Sequence, residues 1–384
     1  MIPYGRQDIN DADIEAVVRV LTSDFLTQGP MVPRFEARVA EHVGAAHAVA
    51  VNSATSGLHI ACLALDLGPG DLLWTSPVTF VASANCGRYC GADVDFVDID
   101  PATYNMCPTA LARKLEDAAA KGRLPKVIVP VHLTGQPCDM AAIGALAKQY
   151  GIAVIEDASH AIGGFDQGQA IGACVHSDIA VFSFHPVKIV TTAEGGMAMT
   201  QRADLAARMA RLRSHGITRD PSLMTHERDG PWYYQQLELG LNYRLTDLQA
   251  ALGVAQMDRL EAFVAKRHKI AARYDERLAD LPVTLPYQAP GTYSAYHLYV
   301  IRLNPGTPPH RQVFETMRDQ GIGVNLHYIP VHLQPYYRAM GFAPGDFPEA
   351  EAYYAQAISI PMYPGLSEAD QDQVVAALTS ALSA

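Results

Sequence analysis

The 384-residue chain lacks the usual signatures of a metal centre, a dinucleotide fold or a membrane segment. No CxxC pair occurs. The six cysteines, Cys62, Cys86, Cys90, Cys107, Cys138 and Cys174, lie at irregular spacings in the first half, which fits reduced thiols in a cytoplasmic protein better than a disulfide framework or zinc site. The pairs His327/His332 and His132/Cys138 have no further partners at ligand spacing, so no metal is expected. No GxGxxG follows a strand-like run and no GxxxxGK[ST] occurs, which removes both common glycine-rich phosphate loops. Positive charge is also scarce: 29 Lys and Arg against 40 Asp and Glu leave a net −11, unsuited to non-specific binding of nucleic acid or anionic membrane. Every long apolar run breaks well short of a membrane span, and the start Met1-Ile-Pro-Tyr-Gly-Arg-Gln-Asp lacks the charged and apolar blocks of a secretory leader.

What is present is abundant apolar material, 49% of residues, enough for two or three domains. Strand-length apolar runs (His47–Val51, Leu72–Thr75, Val94–Asp98, Lys126–Val131, Ala153–Glu156, Asp178–Phe184, Gly196–Thr200) alternate with helical stretches at Gly57–Leu65, Thr79–Cys90, Pro108–Ala120 and Met140–Tyr150. That rhythm predicts an α/β domain with a mainly parallel sheet. From near Tyr243 the spacing of Leu245, Leu248, Leu252, Ala255, Leu260, Phe263, Ile270, Tyr274 and Leu278 predicts one long amphipathic helix. Beyond it, Tyr296–Leu303 and Gly323–Ile329 read as strands. Helices are expected at Arg311–Gln320, at Glu349–Ala357 and after Ser367, where Ser367 and Asp370 suit a capping box. The division expected is a large domain over 1–245, then the connecting helix and a small α+β domain over 246–384.

In an open parallel sheet, ligands gather beyond the carboxyl ends of the strands. Four polar or aromatic groups fall there. Asn52-Ser-Ala-Thr-Ser-Gly57 opens a helix after a strand, where free N–H groups and the hydroxyls of Ser53, Thr55 and Ser56 suit a phosphate, although an ordinary N-cap would use the same residues. Asp157 ends a strand and can hold a cationic ring nitrogen or cap the next segment; His160 follows it. Lys188 lies just past a strand in an apolar neighbourhood with Gly195 and Gly196 nearby, which favours Schiff-base chemistry if its amine is kept uncharged. Phe80 follows a strand and could cover a planar ring or simply fill core. A phosphate cradle, a ring-nitrogen acid, a stacking aromatic and a Schiff-base lysine are together what pyridoxal 5'-phosphate requires.

These motifs resemble those of the DegT/DnrJ/EryC1/StrS family of nucleotide-sugar aminotransferases. The likeness runs through Asp24-Phe-Leu-Thr-Gln-Gly29, Asn52-Ser-Ala-Thr-Ser-Gly-Leu-His59, Val94-Asp-Phe-Val-Asp-Ile-Asp100, Glu156-Asp-Ala-Ser-His160, Ser183-Phe-His-Pro-Val-Lys188, Ala193-Glu-Gly-Gly196 and Asn242-Tyr-Arg244. Ser23–Pro30, Thr79–Cys86, Tyr89–Asp95, Arg213–Gly216 and His327–Pro330 resemble the branch acting in pseudaminic acid synthesis. The resemblance implies pyridoxal-phosphate transferase fold type I, with a large mixed sheet, and makes Lys188 the Schiff-base residue, Asp157 the pyridinium partner and Phe80 the stacking ring. It implies Thr55, Ser56 and Ser183 at the phosphate and His160 beside the ring. Asn242 is implied at the phosphate of a neighbouring subunit, hence an obligate homodimer. It further implies L-glutamate as amino donor and a UDP-linked 4-keto-6-deoxy-N-acetylhexosamine as acceptor, in a ping-pong exchange. Tyr4, Arg6, His327 and Tyr328 are the candidate substrate contacts. Two departures stand out: Pro186 precedes the lysine, and the loop at 218–231 matches no family motif.

Overall fold

A computed structural model describes residues 1–383. Seven strands form the central sheet: β1 (His47–Val51), β2 (Leu72–Thr75), β3 (Asp93–Phe96), β4 (Val127–Val129), β5 (Ala153–Asp157), β6 (Ile179–Ser183) and β7 (Gly196–Thr200), in the order β1-β7-β6-β5-β4-β2-β3. The run from β3 to β6 is parallel, while β7 is antiparallel to both β1 and β6. The sheet is thus mixed. The central strands β4, β6 and β7 are buried along their whole length, as expected of a sheet covered on both faces.

The expected helices Pro108–Ala120 and Met140–Tyr150 are present with those bounds. The latter is capped by Asp139, which accepts from the Ala142 N–H at 3.0 Å, and ends on Gly151 with φ +68°. The expected single long helix is instead two, Asp247–Met257 and Leu260–Leu278. Between them Arg259 leaves helical geometry (φ −113°, ψ 2°), and its guanidinium is anchored to Asp8 and to the buried Asp13. Hydrophobic spacing continues across the break because both pieces keep one apolar face inward.

The first piece and the first turn of the second pack with Phe35, Phe182 and Phe184 of the large sheet layer, whereas Ile270, Tyr274 and Leu278 pack against the smaller sheet. That sheet consists of β8 (Val283–Thr284), β9 (Tyr299–Leu303) and β10 (Ala357–Ile360), all antiparallel. The strand expected at Gly323–Ile329 is absent. This segment is irregular, joined by bridges Ile2–Ile322 and Asn325–Ser359. The Ser367/Asp370 capping box starts the last helix, Glu368–Leu382. Among the described residues no helix is long and apolar enough to cross a membrane.

Candidate active site

A cavity of about 920 Å³ opens at the carboxyl ends of β1, β5 and β6 and is closed opposite by the irregular segment Asn325–Tyr328. Ser53 caps the helix Ala54–Ala64, accepting from the Ser56 N–H at 3.1 Å. This leaves the N–H groups of Ala54 and Thr55, which have no intrahelical partner, at the positive end of the helix dipole. The Ser56 hydroxyl donates to Asn52 Oδ1 at 2.6 Å. Two glycines allow the helix start to sit this low: a Cβ on Gly57 would lie 2.8 Å from Val181 Cγ1, and one on Gly196 would lie 2.5 Å from the Ala54 nitrogen. Thr55 and Ser183 line the same end of the cavity.

Asp157 ends β5 and is buried. Its Oδ2 accepts from Ser83 Oγ at 2.6 Å and its Oδ1 from the Ser159 N–H at 3.1 Å; Ser83 Oγ also lies 2.7 Å from Thr79 Oγ1. Donors on both oxygens hold the carboxyl group in one orientation. Lys188 follows β6 in a turn closed by its N–H donating to the His185 carbonyl at 2.9 Å. The side chain keeps some surface toward the cavity, but its environment is protein. Burial pulls its ammonium down to about 8, against the attraction of Asp157. Among the described residues no arginine lines the cavity, and Lys188 is its sole basic chain of the Lys/Arg type. Phe80 is 57% exposed at the cavity rim, with its ring 6.1 Å from that of Tyr328. A core role is thereby excluded: the ring presents an open apolar face.

The opposite wall is neutral. His160, His297 and His327 are all buried, and burial pushes each imidazole below its ordinary range, with Lys188 adding to the effect. For His327 the value falls to about 3, and its Nδ1 lies 2.8 Å from Ser359 Oγ. Tyr4 packs its ring 5.3 Å from His327. Burial raises the hydroxyls of Tyr4 and Tyr328, keeping both protonated.

Of the expected site residues, the cavity brings together Ser53, Thr55, Ser56, Phe80, Asp157, His160, Ser183, Lys188, Tyr4, His327 and Tyr328. Two fall elsewhere. Arg6 is exposed and outside the lining; Asn242 is exposed on the segment that bridges Ser214, also outside the lining. Sequence reasoning missed His297, whose ring lies 4.4 Å from that of His160 and whose Nδ1 is buried without a partner. Its one sequence signal is its place just before β9. Ser83 was also missed, since its bond to Asp157 spans 74 residues.

An anion cradle without arginine, a fixed carboxylate, an open aromatic face and a lysine whose ammonium is pulled down to about 8 fit pyridoxal phosphate group by group. Together with the mixed seven-stranded sheet they define a fold type I pyridoxal-phosphate-dependent transferase. The family profile "DegT/DnrJ/EryC1/StrS aminotransferase family" matches residues 7–379, and the chain belongs to that family. It is 38% identical over 382 residues to the spore coat polysaccharide biosynthesis protein SpsC of Bacillus subtilis, covering 98% of this chain and 96% of that one. Among solved structures it resembles Helicobacter pylori PseC, an aminotransferase involved in the biosynthesis of pseudoaminic acid, with TM-score 0.90 and 28% identity over 100% of this chain and 99% of that one. Spr1654 of Streptococcus pneumoniae, solved in PMP and PLP forms, gives TM-score 0.91 and 28% identity for the PMP form, over 100% and 99% of the two chains. The enzyme is thus a pyridoxal-phosphate-dependent sugar aminotransferase.

Proposed function

We propose that the protein moves the amino group of L-glutamate to C4 of a UDP-linked 4-keto-6-deoxy-N-acetylhexosamine, as in pseudaminic acid formation, leaving 2-oxoglutarate and a 4-amino sugar. The observation that carries the reading is the convergence of Lys188, Asp157, Phe80 and the helix start at Ser53–Ser56 on one cavity whose far wall is neutral and aromatic. The likeness to PseC supports the sugar assignment.

Ala54 and Thr55 N–H groups, with the Thr55 and Ser183 hydroxyls, would hold the cofactor phosphate; Phe80 would cover the ring and Asp157 would pair with its nitrogen. When bound, the cofactor supplies a carbonyl that accepts the amino group and a ring that withdraws electrons from the carbon losing a proton. Lys188, whose ammonium burial pulls down to about 8, would take that proton from the donor's Cα and return one to the acceptor carbon. Asp157, fixed by Ser83 and Ser159, would favour a protonated ring nitrogen.

The same reading makes the protein a cytoplasmic homodimer. Asn242 is exposed beyond its own cavity, and Trp232, Tyr234 and Leu239 expose large apolar surfaces on the preceding segment, where a second copy would cover them. A sister activity on another nucleotide-linked 3- or 4-keto sugar is the second reading, favoured by the higher identity to SpsC. Mass analysis of products from a panel of UDP-, dTDP- and GDP-linked keto sugars with glutamate decides. A one-unit mass increase, oxygen replaced by NH with two hydrogens gained, must appear for the UDP-4-keto-6-deoxy sugar; its appearance with another sugar alone selects the second reading.

A further inference from the structure

The proton positions on the neutral wall follow from one backbone group. Thr134 has φ 63° and ψ −7°, a left-handed conformation that a β-branched residue seldom adopts. Its peptide is held there from the far side: the Leu298 N–H donates to the Thr134 carbonyl at 3.2 Å and the Ala295 N–H to the Gly135 carbonyl at 3.1 Å. The outcome is that the Thr134 N–H donates to His160 Nδ1 at 3.3 Å. Nδ1 is therefore an acceptor, and a neutral imidazole must carry its hydrogen on Nε2. Nε2 faces the Tyr328 hydroxyl oxygen at 3.1 Å, so that oxygen accepts. Its own hydrogen has no acceptor among the described residues and is free to be donated within the cavity that Tyr328 lines.

We propose that Tyr328 is a one-way hydrogen-bond donor to an oxygen of the acceptor's sugar ring, with His160 as the positioning residue that Thr134 sets. This rests on the reading that the acceptor is a nucleotide-linked keto sugar. Three features on this wall point to a sugar rather than an amino-acid donor. Tyr328 stands among Tyr4, His160, His297 and His327, none of which carries charge at neutral pH, whereas the donor's carboxylates need cationic partners. The Tyr328 ring packs edge-to-face on His327 at 4.9 Å and 89°, which holds its hydroxyl oxygen at one place on the wall. The unpartnered Nδ1 of buried His297 adds a second neutral polar group beside His160.

The test separates the two half-reactions of the holoenzyme by absorbance. Tyr328→Phe is expected to slow amination of the keto sugar about 30- to 100-fold while leaving the glutamate half-reaction within about twofold. His160→Gln, which retains an N–H at the Nε2 position, should keep most of the sugar rate. His160→Phe should fall to the Tyr328→Phe level, and the double variant should be no slower than the worse single change. Affinity for UDP alone should not change. Equal slowing of both half-reactions by Tyr328→Phe, or multiplicative losses in the double variant, would overturn the proposal. Failure of the unsubstituted enzyme to aminate any nucleotide-linked keto sugar would overturn the reading beneath it, and the proposal with it.

Discussion

The cavity's two sides are built on different principles. The side at the sheet is made by strand ends and one helix start, and it places a carboxyl group, a lysine and free N–H dipoles. The facing side is an irregular segment, Asn325–Tyr328, and gathers buried groups that burial keeps neutral. One side suits a charged cofactor and its proton transfers; the other suits an uncharged sugar. A net charge of −11 is compatible with holding a phosphate there, because dipoles and hydroxyls would do the holding and net positive charge is not needed.

The largest break in this contrast should come from Asp157→Ala. Without the carboxylate the ring nitrogen loses its proton, and turnover should drop about 10³-fold or more in a folded protein. Near-normal turnover would remove Asp157 from its role. Gly196→Ala comes next. Its new Cβ would sit 2.5 Å from the Ala54 nitrogen, so the helix start must shift; cofactor affinity should weaken about 10- to 100-fold by equilibrium dialysis, with the sugar-side wall untouched. Unchanged affinity would mean that the helix start is not the phosphate site. Ser83→Ala removes one of two donors on Asp157 and should cost about tenfold in kcat with little change in KM. A rise confined to KM would contradict a positioning role.

Much of the sheet-side half was readable in the sequence, because a strand followed by Asp157 or Lys188 announces both its fold position and its chemistry. The neutral wall was less legible. His327 and Tyr328 were picked as substrate contacts, yet on a segment expected to be a strand, and His297 was not picked at all. Neither hydrophobic period nor turn residues encode an irregular segment held by bridges to Ile2 and Ser359. The helix break at Arg259 was hidden for a similar reason: its cause, the pairing with Asp8 and Asp13, lies about 250 residues away in sequence. Ser83 needed the same kind of long-range fact.

The smallest predicted effect concerns stability. Lys188 is held below its ordinary value of 10.5, so the folded cofactor-free protein pays for keeping that ammonium charged at pH 7. Lys188→Met should stabilise the cofactor-free protein by about 1–3 kcal/mol in urea melts at pH 7. Between pH 8 and 10.5 the unfolded chain binds the extra proton, so the unsubstituted protein gains stability as pH rises and the advantage of the variant fades. A variant less stable than the parent at pH 7 would show that Lys188 is not strained by burial.

The central claim, that Lys188 joins the cofactor within the cavity formed by Asp157, Phe80 and the helix start, is tested most directly by visible absorption of the purified protein. The parent protein with pyridoxal phosphate should show the band of a lysine-bound cofactor, bleached by L-glutamate, and Lys188→Ala should not form it. An equal band in Lys188→Ala, bleached by glutamate in the same way, would contradict the account.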